Sequence, residues 1–457
     1  MRKSILTNFT IICCMLCAGH VNAQSWQDVG MPKFTAGEAD DVSIAIGKND
    51  TPYVAYMDYG NNMSATVMKF NGTAWVPVGS PGFTGNQVQY TSLAIDSSGT
   101  PYVIYQDGAD TARATVMKYN PALATWQTLG TQGLSIGQAD FTCMAIGSSD
   151  VPYILFSDIA DSCIPKFSVM KFNGSNWDFV GASRFTPILS NPGAIAVSGN
   201  TPYIAYSDTG LGKATVLTYN GSNWVPVGTP GFSAGQANGI SLVIHNGTPY
   251  VAYSDFANSM KATVMKYNGT AWETVGTAGF SAAEADNVTL AIDNAGTPYV
   301  VYADASLTSS FATVMKYNGT SWVNVGAPGF SGTLAVFISI AINSTGVPYV
   351  FYQAFAGGQK GTVEKFVANT SVKNATGTAG AMRIFPDPNK GVFTLHITTL
   401  QQEDVRVTIT NILGEQVKEF TATTNTDAQA QLNAAPGIYF VSAHTADGDM
   451  MQQVVVE

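Results

Sequence analysis

The chain has 457 residues, with 31 acids against 21 Lys and Arg and a formal charge of −10. Only 11% of the residues are charged, yet apolar residues make up 46%, which excludes a disordered chain. The length exceeds one compact core of ordinary size. No basic cluster occurs, which excludes recognition of nucleic acid or an anionic membrane through a basic surface.

Residues 1–23 read as a secretory signal. Arg2 and Lys3 precede the apolar stretch "ILTNFTIICCMLCAG", and "VNA" (Val21 to Ala23) is a small-residue cleavage site. The apolar run is too short to anchor the chain, and no other segment could span a bilayer. Removal takes two positive charges, −10 − 2 = −12, and three cysteines, Cys13, Cys14 and Cys17. Cys143 and Cys163 remain, in an oxidising compartment that allows a disulfide between them.

Residues 24–367 repeat. Trp26, Trp75, Trp126, Trp177, Trp224, Trp272 and Trp322 are 47 to 51 residues apart, and seven Pro-Tyr pairs keep the same period. Each unit holds four short apolar runs split by turn residues, which predicts four strands. In the first they are Ser43 to Ile46, Pro52 to Asp58, Ala65 to Phe70 and Ala74 to Gly79. Asn71-Gly72 signals a hairpin, both residues being able to take positive φ. No unit has a helical period.

Four strands per repeat of this length predict an all-β fold, a seven-bladed β-propeller. The first strand would be innermost, because its third position is small: Ala45, Ala94, Ala145, Ala196, Val243, Ala291 and Ala341. Its first position is small too, with Ser43, Ser92, Cys143, Ala194, Ser241, Thr289 and Ser339. The Trp would fill the gap where blades diverge outward. "WQDVG" (Trp26 to Gly30) is a fourth strand without three before it, and Ile338 to Phe366 supplies three without a fourth. The N-terminal strand should therefore close the last blade. An open β-solenoid is the alternative.

"SIAIGKNDTPYVAY" resembles the inner-strand pair of NHL-type blades. The Gly-His and Trp-Asp signature is missing, Gly357-Gly358 is not a kelch doublet, and no Asp-box of the sialidase type occurs. The repeat looks like the Trp-xx-Val-Gly/Pro-Tyr-Val-Ala-Tyr arrays of bacterial surface proteins, a class without one assigned activity.

Residues 368–381 are a small, polar linker. Residues 382–457 alternate as strands around turns, an Ig-like β-sandwich. Here "RIFPDPNKGVFTL", "TITNILGEQV", "PGIYFV" and "QQVVVE" are similar, in order, to the landmarks of the type IX secretion system C-terminal sorting domain. The matching positions are Pro386, Pro388, Gly391, Gly414, Gly437 and Tyr439. Asp387 stands where Asn is usual, and Gln452-Gln453 replace a common basic residue. The resemblance implies the type IX machinery as partner, export across the outer membrane of a Gram-negative bacterium, cleavage of the domain, and release or attachment to surface polysaccharide.

Hydrolysis through Ser-His-Asp or Cys-His needs a histidine base. The repeats hold one, His245, read as structural or exposed. No zinc ligands cluster. Six second strands end in Asp: Asp58, Asp107, Asp158, Asp208, Asp255 and Asp304. Loops entering the first strands add Glu38, Asp40, Asp41, Asp140, Glu284 and Asp286 on the same face. This broken acidic ring suits Ca²⁺ or sugar hydroxyls; no other cofactor is implied. The competing reading is structural. Asp107, Asp158, Asp208 and Asp255 each face a basic residue across a hairpin (Arg113, Lys166, Lys213, Lys261), and Asp also bonds turn backbone. Phe83, Phe232, Phe280, Phe330 and Leu134 recur after the outer strands, for packing between blades or for stacking on sugars.

The expectation is a monomeric, secreted or cell-surface binding or adhesion protein that engages carbohydrate or a protein partner. The alternatives are a polysaccharide hydrolase using unit-specific carboxylates and a non-binding scaffold. An enzyme would place two non-repeated carboxylates in one pocket, a lectin would repeat one pocket in several blades, and a scaffold would do neither.

Overall fold

A computed structural model describes residues 25–457, apart from 161–163, 188–191, 209, 211, 307–309, 368–380, 412–414 and 446–447. The expected signal, nearly all of the linker, Cys163 and Gly414 lie outside the described residues. The chain divides into two compact units, Met1–Val367 and Ala368–Glu457. Among the described residues there is no α-helix.

The first unit holds seven antiparallel sheets of four strands each, a propeller-like arrangement. The sheet that follows the N-terminal strand sets the pattern. Ala39–Ile46, Pro52–Asp58, Ser64–Phe70 and Trp75–Pro77 lie side by side in sequence order. Proline opens the second strand opposite Ile46, where a missing N–H costs little. The Asn71-Gly72 turn differs from the expected hairpin. Gly72 alone takes positive φ (+98°), while the Asn71 side chain accepts from the amides of Thr73 and Ala74 at 3.0 and 2.9 Å. An Asn side chain that closes the loop itself does not need a left-handed backbone.

The second strands form the centre of each sheet. Pro101–Asp107 is buried at every position, as are Pro298–Asp304 and Pro348–Ala354. Each apolar cluster bridges two neighbouring sheets, so no sheet has a core of its own. Ala55 and Val67 of one sheet, for example, pack with Val103 and Trp126 of the next.

Three sets of contacts join the sheets. On the innermost strands, Ser43, Ser92, Ser241 and Ser339 accept through Oγ from the amides of Leu93, Met144, Leu290 and Ile44, one sheet along. The small residue there is thus also a hydrogen-bonding link. On the outer strands, every Trp indole donates to a carbonyl of the preceding sheet. Trp75 reaches Val29 O, Trp126 reaches Val78 O, and so on around to Trp26, which reaches Val325 O. Over six of the indoles lies a ring from the preceding unit: Phe34 on Trp75, Phe83 on Trp126, Phe185 on Trp224, Phe232 on Trp272, Phe280 on Trp322 and Phe330 on Trp26. Ser25–Asp28 pairs with Lys360–Val367 and is the outermost strand of the last sheet.

The second unit sandwiches two sheets. One contains Ala381–Phe385, Val392–Thr398 and Asp427–Gln431. The other contains Gln416–Thr423, Asp404–Asn411, Gly437–Thr445 and Gly448–Val456. Phe393, Leu395 and Ile397 from the first meet Val407, Ile409, Val441 and Val454 from the second.

Candidate functional site

The six repeated aspartates are buried: Asp58 is 1% exposed, Asp158 0% and Asp208, the most open, 9%. Their oxygens are committed to neighbouring turns and loops. Asp58 accepts from Gly60 N (3.0 Å), Asn61 Nδ2 (2.8 Å) and Thr66 Oγ1 (2.8 Å). Asp255 repeats this with Ala257 N, Asn258 Nδ2 and Thr263 Oγ1. Asp107 holds Ala109 N, Thr115 Oγ1 and Gln132 Nε2; Asp304 holds Ser306 and Thr313. Asp208 accepts from Gly210 N, and Asp158 from the amides of Ile136 and Gly137. After Asp58, Asp107 and Asp255 this capping winds a single 3₁₀ turn that the strand pattern did not predict. The structure holds each carboxylate of this series by neighbouring turns, and none lines the grooves or the cavity described below. It corrects the ion-pair alternative. Among the described residues none of the four Asp–Lys/Arg pairs across the hairpins closes, and Arg113 pairs with Asp110 at 2.5 Å.

The recurring Phe residues are likewise taken, stacked on Trp at centroid distances of 4.1 to 4.3 Å, with Leu134 packed near Trp177. Phe34 and Phe185 belong to the same series. They lie eight residues after Trp26 and Trp177, the spacing that also separates Trp75 from Phe83. His245, at the end of an inner strand, contacts only Asn246 Nδ2 through Nε2 (3.0 Å) among the described side chains. Cys143 is a free thiol. Its Sγ lies 3.7 Å from Gly193 O in the next sheet, and burial pushes the thiol up to about 12. Among the described residues no group of three or more His, Cys, Asp or Glu is placed to hold a metal ion.

What remains open to a ligand lies at the two ends of the sheets. At the end where the second strands begin, one groove recurs at three junctions between sheets. Its walls are a Tyr from one Pro-Tyr pair, the Thr-Pro loop of the next unit, and that unit's Lys-aromatic-Asn-Gly turn. The first holds Tyr203, Thr248, Pro249, Tyr250, Lys266 and Asn268, with a volume of about 580 Å³. The second holds Tyr250, Thr297, Pro298, Lys316 and Asn318, about 560 Å³. The third holds Tyr349, Thr51, Pro52, Tyr53, Lys69 and Asn71, about 390 Å³. Lys69, Lys266 and Lys316 are half-buried in these walls. Tyr53, Tyr203 and Tyr250 are half-exposed, whereas Tyr102, Tyr153, Tyr299 and Tyr349 are buried. Four residues separate Val197 from Pro202 and Ile244 from Pro249, against five in the other units. Tyr102 bonds Asp96 of its own loop at 3.2 Å.

At the opposite end, a cavity of about 500 Å³ opens among the innermost strands. Sequence reading began these strands too late, at Ser43 and its equivalents. They extend back to Ala39 through a β-bulge, marked by register shifts at Asp40/Ser43, Gln89/Ser92 and Asp140/Cys143. One residue of each bulge takes positive φ: Asp41 +48°, Tyr90 +54°, Phe141 +52°, Gly239 +60°, Asn287 +52° and Phe337 +47°. The seventh equivalent is Pro192, whose ring forbids that conformation. All seven line the cavity. The framework of the repeats recurs from unit to unit, yet here no two neighbours carry the same residue.

In the second unit, the Asp387 carboxylate accepts from Val455 N at 2.8 Å. An Asn oxygen could do the same, so the departure at this position keeps the bond. Pro386 and Pro388 are exposed on the same turn. Gly391 has φ +82°, and a Cβ there would meet Leu432 O at 2.6 Å, so glycine is required. Gly437 has no such constraint, its nearest neighbour being 3.8 Å away. Tyr439 donates its hydroxyl to Ala435 O at 2.7 Å.

No curated protein matches the chain. Among solved structures, it is similar to an oligogalacturonate lyase from Vibrio parahaemolyticus. The TM-score is 0.49 and the identity 11%, over 76% of this chain and 96% of the other. The Penicillium chrysogenum α-L-arabinanase gives 0.41 and 11%, over 61% and 92%. The Aleuria aurantia lectin gives 0.39 and 14%, over 62% and 97%. No helix among the described residues is long and apolar enough to cross a membrane. Residues 383–457 match the secretion system C-terminal sorting domain, which marks the protein as secreted or cell-surface.

Proposed function

We propose that the first unit is a seven-bladed β-propeller acting as a multivalent carbohydrate-binding module, carried outside the cell by its type IX sorting domain. The observation behind this reading is the recurrence of one groove at three junctions. Each groove offers an aromatic ring, an ammonium group and a Thr-Pro/Asn-Gly rim of backbone and amide donors and acceptors. That combination suits a sugar ring, with apolar C–H faces, hydroxyls and an acidic substituent within reach of lysine. Weak sites repeated on one face gain avidity when a polymer engages several at once.

Hydrolysis is less well supported. A glycosidase needs two carboxylates about 5–10 Å apart. The three grooves contain one carboxylate among their walls, Asp50, and it is engaged by Ser344. Type IX export, monomeric state and adhesion are parts of the same proposal.

The test is a glycan array probed with the full secreted chain, with and without Ca²⁺. Binding that falls in Tyr250→Ala and Lys266→Ala, both folded, supports the module. Lys266 borders two grooves, so its loss should cost more avidity than loss of Lys69. Absence of binding to neutral and acidic glycans in either condition would overturn it.

A further inference from the structure

The cavity at the other end of the propeller has a different chemistry, and no repeat explains it. Its rim runs in ring order Phe337, Asp41, Tyr90, Phe141, Pro192, Gly239, Asn287. Three aromatic rings and a carboxylate therefore occupy one continuous arc, and small residues occupy the other. Phe337 is 40% exposed, and Tyr90 and Phe141 lie with ring centroids 5.0 Å apart at 55°.

The arc is held in place. Tyr90 N donates to Asp41 Oδ2 at 2.5 Å, Thr91 Oγ1 to Asp41 O, and Thr142 Oγ1 to Tyr90 O. Holding Asp, Tyr and Phe at positive φ is unfavourable, and strained backbone of this kind concentrates at ligand sites. A β-bulge re-aims the side chain at its own position. Here the bulges bring the least repetitive residues of the unit to the mouth of one cavity.

The electrostatics carry one sign. Asp40, Asp140 and Asp286 each precede a bulge residue in sequence. Asp40 and Asp140 accept from the neighbouring Gln353 and Gln106 amides. No Lys, Arg or His is among the cavity's lining residues. Burial, and then the nearby Asp40, push the Asp41 carboxyl above its ordinary value, while its bond from Tyr90 N opposes them. Among the described residues no cation lies within ion-pair distance of Asp41. A half-buried carboxylate without a counter-charge, flanked by the exposed ring of Phe337 and the half-buried rings of Tyr90 and Phe141, is the arrangement that favours an organic cation.

We propose that this cavity is a second binding site, distinct from the grooves, that takes an alkylammonium group against Phe337, Tyr90, Phe141 and Asp41. The site does not depend on carbohydrate binding at the opposite end.

The full chain is titrated with choline and with its neutral isostere 3,3-dimethylbutan-1-ol, followed by saturation-transfer difference NMR. Choline should bind about tenfold more tightly than the isostere, the ratio expected of a cation–π contact with a carboxylate nearby. Asp41→Asn and, separately, the exposed Phe337→Ala should each lower choline binding, while Lys266→Ala leaves it unchanged. Nα-acetyl-lysine amide competing better than choline would support the site and assign it to a lysine side chain of a partner. Equal binding of choline and isostere, no choline signal, or full binding in both variants would overturn the proposal.

Discussion

The indole Nε1 of Trp26 donates to the carbonyl oxygen of Val325 at 2.7 Å, across 299 residues of chain. It is the bond that each other Trp makes to the preceding unit, for instance Trp224 to Val180 O over 44 residues. At this one junction it joins the two ends of the propeller. Phe330 stacks on the same indole at 4.1 Å, and Trp26 faces Phe366 in the strand register.

Replacing Trp26 by Ala should therefore do more than leave a cavity. Removing a buried aromatic costs about 3–5 kcal/mol, and Trp26 and Trp224, both half-buried, should stand at the low end. The distinction between them is in hydrogen exchange. Trp26→Ala should unprotect Ser25–Asp28 and Lys360–Val367 together, because no peptide bond holds the N-terminal strand to its sheet. Trp224→Ala should leave those amides protected. Equal protection in both variants would mean that backbone pairing alone secures the seam.

The repeats made the strand order, the outer Trp and the closing strand legible, because each follows from period and residue size. The grooves were less so. Their Lys, Tyr and Asn-Gly were all visible, but only packing shows that they meet across sheets. The bulge residues were read as loop because "ADDV" and "QADF" show no alternation, although Asp41 and Asp140 were singled out. The repeated Asp residues were open to two readings for a physical reason. A carboxylate that caps a turn and one that binds a ligand both end a strand, and burial decides between them.

That burial yields a prediction for Asp255, which is 1% exposed. Changing it to Ala leaves Ala257 N, Asn258 Nδ2 and Thr263 Oγ1 without their acceptor. Each buried polar group so stranded costs about 1–3 kcal/mol, less where water can enter. Asp255→Ala should lower the urea midpoint of the propeller clearly, and Asp255→Asn, which keeps an oxygen, should lower it less. Carbohydrate binding by the folded fraction should be unchanged. A fully stable Asp255→Ala variant that has lost binding would return this carboxylate to the site.

The seam pairs a tyrosine with a buried carboxyl where three other sheets place a methionine. Tyr56, Tyr253 and Tyr302 point their hydroxyls at Met68, Met265 and Met315, but Tyr352 donates to Glu364 Oε1 at 2.6 Å. Glu364 is 8% exposed and lies opposite Asp28 of the closing strand. Burial pushes its carboxyl up to about 7; the Tyr352 bond opposes this and Asp28 adds to it. The unfolded chain releases this proton near the ordinary value of 4.5, and the folded chain holds it to about 7. The favourable contribution is therefore complete below pH 4.5, declines as pH rises toward 7, and is absent above it. Holding the proton from 4.5 to about 7 corresponds to on the order of 3 kcal/mol. Glu364→Met installs the residue used elsewhere and removes the titration. Urea unfolding of both proteins at pH 5 and pH 8 isolates the effect of Glu364 and the Asp28 coupled to it, since groups that do not interact with Glu364 cancel in the difference. The variant should gain on the wild type between pH 5 and pH 8 by up to that amount. A stability difference that is the same at both values would show that Glu364 does not hold its proton at the seam.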